Sequence, residues 1–144
     1  YGAFVTCSDK LSKKIINFCS GLIYSTVLPP SVLGTIEESV KIMPKLGSLR
    51  NKLLKNSSYL IKKLKELSIN TGESKSQIIP IILGDYKKCN ELSEFLKKNS
   101  FFVKTIKSPT VPEGSERIRL SLTATMKKNM LSKLASLISK VDFL

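Results

Sequence analysis

From residue 117 the chain alternates strictly. Ile118, Leu120 and Leu122 are apolar, while Arg117, Arg119 and Ser121 between them are polar. Period two is the geometry of a strand buried on one face, so this pattern predicts a strand with both guanidiniums on the opposite face. Residues 2–7 read as a buried strand. Ser8 is placed to cap a helix with Leu11, Ile15, Ile16 and Cys19 on one side, ending near Gly21, after which residues 22–30 are extended because proline biases the preceding residue away from helix. From Pro30 a helix carries Val32, Leu33, Ile36, Val40 and Met43, with a break expected at 44–47. A second helix repeats Leu49, Leu53, Leu60, Leu64 and Leu67. Residues 78–83 predict a strand whose Pro80 marks an edge or a strand start, and Asp85 is placed to cap a helix burying Cys89, Leu92, Phe95 and Leu96. Residues 101–106 predict another strand, and the chain closes with a helix bearing Met130, Leu134, Leu137 and Val141 on one side. The order after residue 47 is helix, strand, helix, strand, strand, helix. That predicts an α+β layer, of α/β class overall, with an antiparallel sheet covered on one face by helices.

At 144 residues with 42% hydrophobic content, the chain can build a real core. No apolar run reaches the roughly 18–20 residues that span a bilayer, so no membrane segment is expected and the reading is a cytoplasmic protein. The formal charge of +13 raises nucleic-acid binding as a reading. Only Arg50, Arg117 and Arg119 are arginine, however, and the lysines fall on separate helix faces, as at Lys62-Lys63, Lys87-Lys88 and Lys97-Lys98. Scattered lysine is the composition of a solvated surface, and no nucleic-acid partner is expected. Cys7, Cys19 and Cys89 lie far apart and there is no histidine. No usual metal set can be assembled, and the thiols read as small buried apolar groups.

The chemistry concentrates ahead of the arginine strand. In Pro109-Thr110-Val111-Pro112-Glu113-Gly114 the prolines restrict φ and the glycine permits a reversal, so the strand entering at Arg117 is held rather than loose. A guanidinium on a stiff strand suits bidentate capture of a carboxylate; the same pattern also describes an edge strand with solvated arginines.

Three segments carry a family resemblance: Tyr24-Ser25-Thr26 followed by Pro29-Pro30; Ile78-Ile79-Pro80-Ile81-Ile82 with Gly84-Asp85; and the proline turn with Arg117-Ile118-Arg119. In this order and spacing they resemble the C-terminal part of the α-oxoamine synthases, pyridoxal-phosphate enzymes that condense an amino acid with an acyl thioester and lose carbon dioxide. The resemblance implies that residues 1–47 are the end of a large cofactor-binding domain with its linking helix, and 48–144 a C-terminal small domain. It implies pyridoxal 5'-phosphate as cofactor, alanine and an acyl thioester as substrates, a homodimer, and contact with the protein's own N-terminal region. Arg119 matches the arginine that grips the amino-acid carboxylate, with Thr110 nearby and Lys107 standing where an arginine is usual. Ser25 and Thr26 match hydroxyls that reach the cofactor phosphate of the other subunit. The Schiff-base lysine of the family is expected upstream of Tyr1, so no catalytic residue is assigned here and the chain by itself is expected to be inactive. Thr125 and Met126 depart from the alanine and histidine common at those places.

Overall fold

Ile79 and Ile81 on one strand, and Ile118 and Leu120 on its neighbour, are the apolar phase of two alternating segments, and all four are buried. The computed structural model describes residues 4–141. They divide into two units, one ending at Leu46 and the other beginning at Gly47.

The second unit holds three antiparallel strands: β1 (Ile78–Ile82), β2 (Lys104–Ile106) and β3 (Arg117–Ser121), in the spatial order β1-β3-β2. Pro80 therefore lies on an edge strand, where its missing N–H leaves no gap in an inner ladder. Three helices, numbered along the whole chain, cover one face: α4 (Gly47–Glu66), α5 (Tyr86–Lys98) and α6 (Lys128–Ile138). α4 packs on α6 and β1, and α5 packs on β2, β3 and α6. Between helices and sheet lies one core, to which Leu60, Leu64, Leu92, Leu96, Leu131 and Ile138 contribute fully buried side chains.

Two polar residues in the middle of α4 fasten the sheet to that helix. Asn56 and Ser57 are both buried. The Asn56 amide donates to the Met126 carbonyl at 2.9 Å, and the Ser57 hydroxyl donates to the Ser76 carbonyl. One bond holds the chain just after β3, the other just before β1. A buried polar group left unpaired is costly, so these contacts also fix where α4 sits. The Met126 contact uses only backbone carbonyl, which any residue supplies, and its side chain packs against the core. A departure from histidine there is thereby compatible with the fold.

Helices α4 and α5 end alike. The amide of Ile69 donates to Leu64 and that of Ser68 to Lys65; the amide of Phe101 donates to Leu96 and that of Ser100 to Lys97. Ser68 and Ser100 take positive φ of 60° and 68° to close these two turns. The second turn shortens β2. Phe101 is engaged in ending α5, so the strand expected over 101–106 pairs only from Lys104.

The last helix keeps the expected stripe at Leu134, Leu137 and Val141 but begins it at Leu131 rather than Met130. Leu131, Leu134, Ala135 and Ile138 are buried at helical spacing, whereas Met130 is exposed. Leu137 is buried as expected.

The first unit comprises α1 (Asp9–Phe18), α2 (Ser20–Ile23), α3 (Pro30–Ile42) and a 3-10 turn (Met43–Leu46). Pro30 opens α3 where the helix needs no N–H. The helix break expected near Gly21 appears at Cys19, and Leu22 and Ile23 are helical rather than extended. Residues 4–7 form no strand, and residues 2 and 3 of that expected element lie outside the described residues. A strand needs a partner, and none of the described residues pairs with this segment. None of the described residues of this unit is buried, and Phe4, Phe18, Tyr24 and Val27 are among its widely exposed apolar side chains. The expectation of buried thiols therefore holds at Cys89 alone, with Cys7 and Cys19 exposed.

Candidate functional site

The arginine face of the sheet is the candidate site. Its backbone is held by β3, which is paired on both sides: Arg119 stands opposite Pro80 of β1 and opposite Lys104 of β2. Alternation buries Ile118 and Leu120 and turns Arg119 outward, where it is exposed. Its guanidinium makes no hydrogen bond or ion pair with any described residue. A rigid central strand thus presents a planar fork with all five donors available. Arg117, on the same face, is half-buried and commits its Nε to the Ser115 carbonyl at 2.8 Å.

The loop between β2 and β3 is ordered by its own backbone. The amides of Thr110 and Val111 donate to the Lys107 carbonyl at 3.0 and 3.4 Å, and that of Ser115 donates to Pro112 at 3.0 Å. The Ser108–Pro109 peptide is cis. Thr110 is exposed on this loop. Gly84 and Gly114 pin the loop to the turn after β1: both have positive φ, and a Cβ on Gly84 would stand 3.0 Å from the Gly114 carbonyl oxygen. Leu83 and Gly84 each donate their amide to the Glu116 carbonyl at 3.0 Å.

Lys107 lies over an aromatic ring. Its ammonium lies 4.7 Å from the ring centroid of Tyr86, at the first turn of α5. The cap of that helix is Asp85, whose carboxylate accepts from the Lys88 amide at 3.0 Å; this bond first, with further help from Lys87 and Lys88, holds its pKa below the usual value. On the buried side of the same turn, Cys89 is pushed up to about 11, by burial first and then by the negative charges of Glu116 and Asp85. Glu116 is itself buried, and its Oε2 has no hydrogen-bond partner.

In the first unit, Ser25 and Thr26 are both exposed on the segment between α2 and α3. The Ser25 hydroxyl donates to the Leu22 carbonyl at 3.0 Å, while Thr26 makes no hydrogen bond with described residues. Both are hydroxyl donors of the kind that suits a phosphate ester. Thr26 is ready as it stands, and Ser25 becomes so by rotating about χ1.

Of the residues singled out from sequence, Arg119, Thr110 and Lys107 fall in one unit on or beside the same loop and sheet. Lys104 and Glu116 were missed. For Glu116 the signal was present, in phase with Ile118 and Leu120; for Lys104 it was not, because its place opposite Arg119 is set by strand register.

A profile of the family described as aminotransferase class I and II matches residues 1–138. A putative 8-amino-7-oxononanoate synthase of Desulfosudis oleivorans is 40% identical over 135 residues, 94% of this chain and 35% of the relative. That of Magnetococcus marinus is 38% identical over 140 residues, 97% of this chain and 35% of the relative. Among solved structures, the 8-amino-7-oxononanoate synthase of Francisella tularensis superposes with a TM-score of 0.78 at 22% identity, covering 92% of this chain and 39% of that one. Serine palmitoyltransferase from S. paucimobilis, solved with bound PLP and myriocin, gives 0.81 at 22% identity over 89% and 33%. These two likenesses speak for the fold alone. The chain spans about a third of the length of the curated relatives it matches.

Proposed function

Since the chain belongs to the aminotransferase class I and II family, we propose that it forms the C-terminal part of a pyridoxal-phosphate-dependent 8-amino-7-oxononanoate synthase, joining alanine to a pimeloyl thioester with loss of carbon dioxide in biotin synthesis. The observation that carries this reading is Arg119, exposed and unpaired among the described residues on a strand paired on both sides. A carboxylate docked on that fork gains two parallel charge-assisted hydrogen bonds. Holding the carboxylate would fix the orientation of the α-carbon toward a bound cofactor.

Bound pyridoxal phosphate supplies the electron sink for bond cleavage at the α-carbon. Ser25 and Thr26 offer hydroxyl protons to its phosphate. Thr110, at the exposed head of the proline loop, offers a hydroxyl toward the substrate carboxylate. Residues 1–144 bind and orient in this reading, while proton transfer at the α-carbon belongs to residues outside them. The assembly proposed is a homodimer in which Ser25 and Thr26 serve the partner's cofactor. The widely exposed apolar side chains of the first unit fit a segment that packs on further protein.

The test is made on the intact protein with added cofactor. Alanine and a pimeloyl thioester should yield carbon dioxide and free thiol together, with glycine and serine far poorer substrates. Equal turnover with glycine or serine would redirect the assignment to another condensing enzyme of this type, and an intact protein that stays colourless with cofactor would overturn it.

A further inference from the structure

The register that presents Arg119 also places a second cation beside it. Lys104 of β2 is the direct partner of Arg119 in the antiparallel pair, and it is exposed. Directly opposed residues project from the same face with Cβ atoms ~4.5–5.5 Å apart, and like charges in that relation repel. Nothing on the described sheet offsets the repulsion. The ion pairs among described residues engage Lys41, Lys63 and Lys97, and no open-face position of the three strands is acidic.

Two further cations have contacts of their own. Arg117 directs its Nε into the Ser115 carbonyl, and Lys107 rests on the Tyr86 ring. On its other flank Arg119 has Pro80, which offers no donor at all. The surroundings of the guanidinium are therefore lopsided, cationic toward β2 and apolar toward β1. An anion reaching Arg119 gains most by lying on the β2 side, between the fork and the Lys104 ammonium, where it also relieves their mutual repulsion.

We infer that Lys104 is the second cation of the carboxylate site, in the place that resemblance gives to Lys107. The inference rests on the reading of Arg119 as the amino-acid carboxylate clamp. It adds a point charge with rotatable donors beside a fixed fork, so the fork sets the orientation of the carboxylate and the ammonium adds to its affinity.

The experiment compares Lys104→Ala, Lys104→Arg, Lys107→Ala and Arg119→Ala in the intact, cofactor-loaded protein. Alanine binding is read from the cofactor's visible spectrum without acyl substrate, and alanine KM and kcat are measured alongside. Lys104→Ala should raise both the alanine Kd and KM about tenfold, with kcat held within about twofold. Lys104→Arg should restore most of the affinity, and Lys107→Ala, which acts only through the proline loop, should weaken it less than Lys104→Ala does. Removing the like-charge contact should leave the thermal midpoint of Lys104→Ala equal or higher, whereas loss of a merely structural residue would lower it. An unchanged Kd in Lys104→Ala, beside a weakened Arg119→Ala, overturns the role of Lys104 alone. Alanine binding that survives Arg119→Ala overturns the clamp reading and the inference with it.

Discussion

Lys107 and Tyr86 join the proline loop to the first turn of α5: the ammonium lies 4.7 Å from the ring centroid. Such a contact at an exposed site contributes about 0.5–1 kcal/mol. Replacing the ring by an aliphatic side chain keeps apolar area but removes the attraction. Tyr86→Leu should therefore lower the urea midpoint slightly and speed proteolysis within residues 107–115. Lys107→Met should do the same, and the double variant should be no worse than either single one, which a double-mutant cycle reads directly.

Arg119 should be separable from the fold. It is exposed, lacks a partner among described residues, and sits on a strand whose core contacts come from Ile118 and Leu120. Arg119→Ala should leave the far-UV circular dichroism and thermal midpoint unchanged while raising the alanine KM by about 10–100-fold, the worth of a charged hydrogen-bonded pair. Arg119→Lys should recover only part of this, because a point charge cannot reproduce the two parallel bonds of the fork.

The order of helices and strands after Gly47 was legible because each element there buries one face, and burial imprints its period on the sequence. The outward turn of Arg119 followed from the same alternation. What escaped were properties of pairs. That Lys104 faces Arg119 is a matter of register, which a single strand does not encode. The three-residue length of β2 depends on the Phe101 amide being taken by the end of α5. In the last helix, Met130 and Leu131 are both apolar, and only packing against α4 and α5 selects Leu131. Residues 4–7 have strand-like composition without a described partner, so their pattern had nothing to act upon.

Gly84 and Gly114 should respond unequally to alanine. Both have positive φ, 69° and 77°, so either substitution forces an L-residue into the left-handed region at a cost of about 1 kcal/mol. At Gly84 the new Cβ would also press against the Gly114 carbonyl oxygen at 3.0 Å, a backbone atom that cannot swing aside, whereas nothing lies within 4 Å of a Cβ on Gly114. Gly84→Ala should therefore lose more stability than Gly114→Ala in denaturant titrations. Both should disturb the proline loop, and hence substrate affinity, with Gly84→Ala the more severe.

Glu116 and Cys89 form a coupled buried pair whose signature is pH-dependent. Glu116 is in the apolar phase of β3, buried, with Oε2 unpaired, and its negative charge adds to burial in holding the Cys89 thiol up to about 11 against an ordinary 9.0. A thiol whose folded pKa is raised favours folding fully below the unfolded value, and that contribution is lost as pH rises toward the folded one. Stability should thus decline between about pH 9 and 11, and Cys89→Val should remove that decline. Glu116→Gln takes away the negative charge and lowers the Cys89 pKa toward its ordinary value, so the decline should shrink without vanishing, because burial remains the larger cause. The same variant replaces a buried carboxylate by a neutral amide that is cheaper to bury, so the urea midpoint at neutral pH should not fall. Thiol titration against pH, with urea midpoints at pH 7 and 10, checks both effects; a Glu116→Gln protein with an unshifted Cys89 would break the coupling.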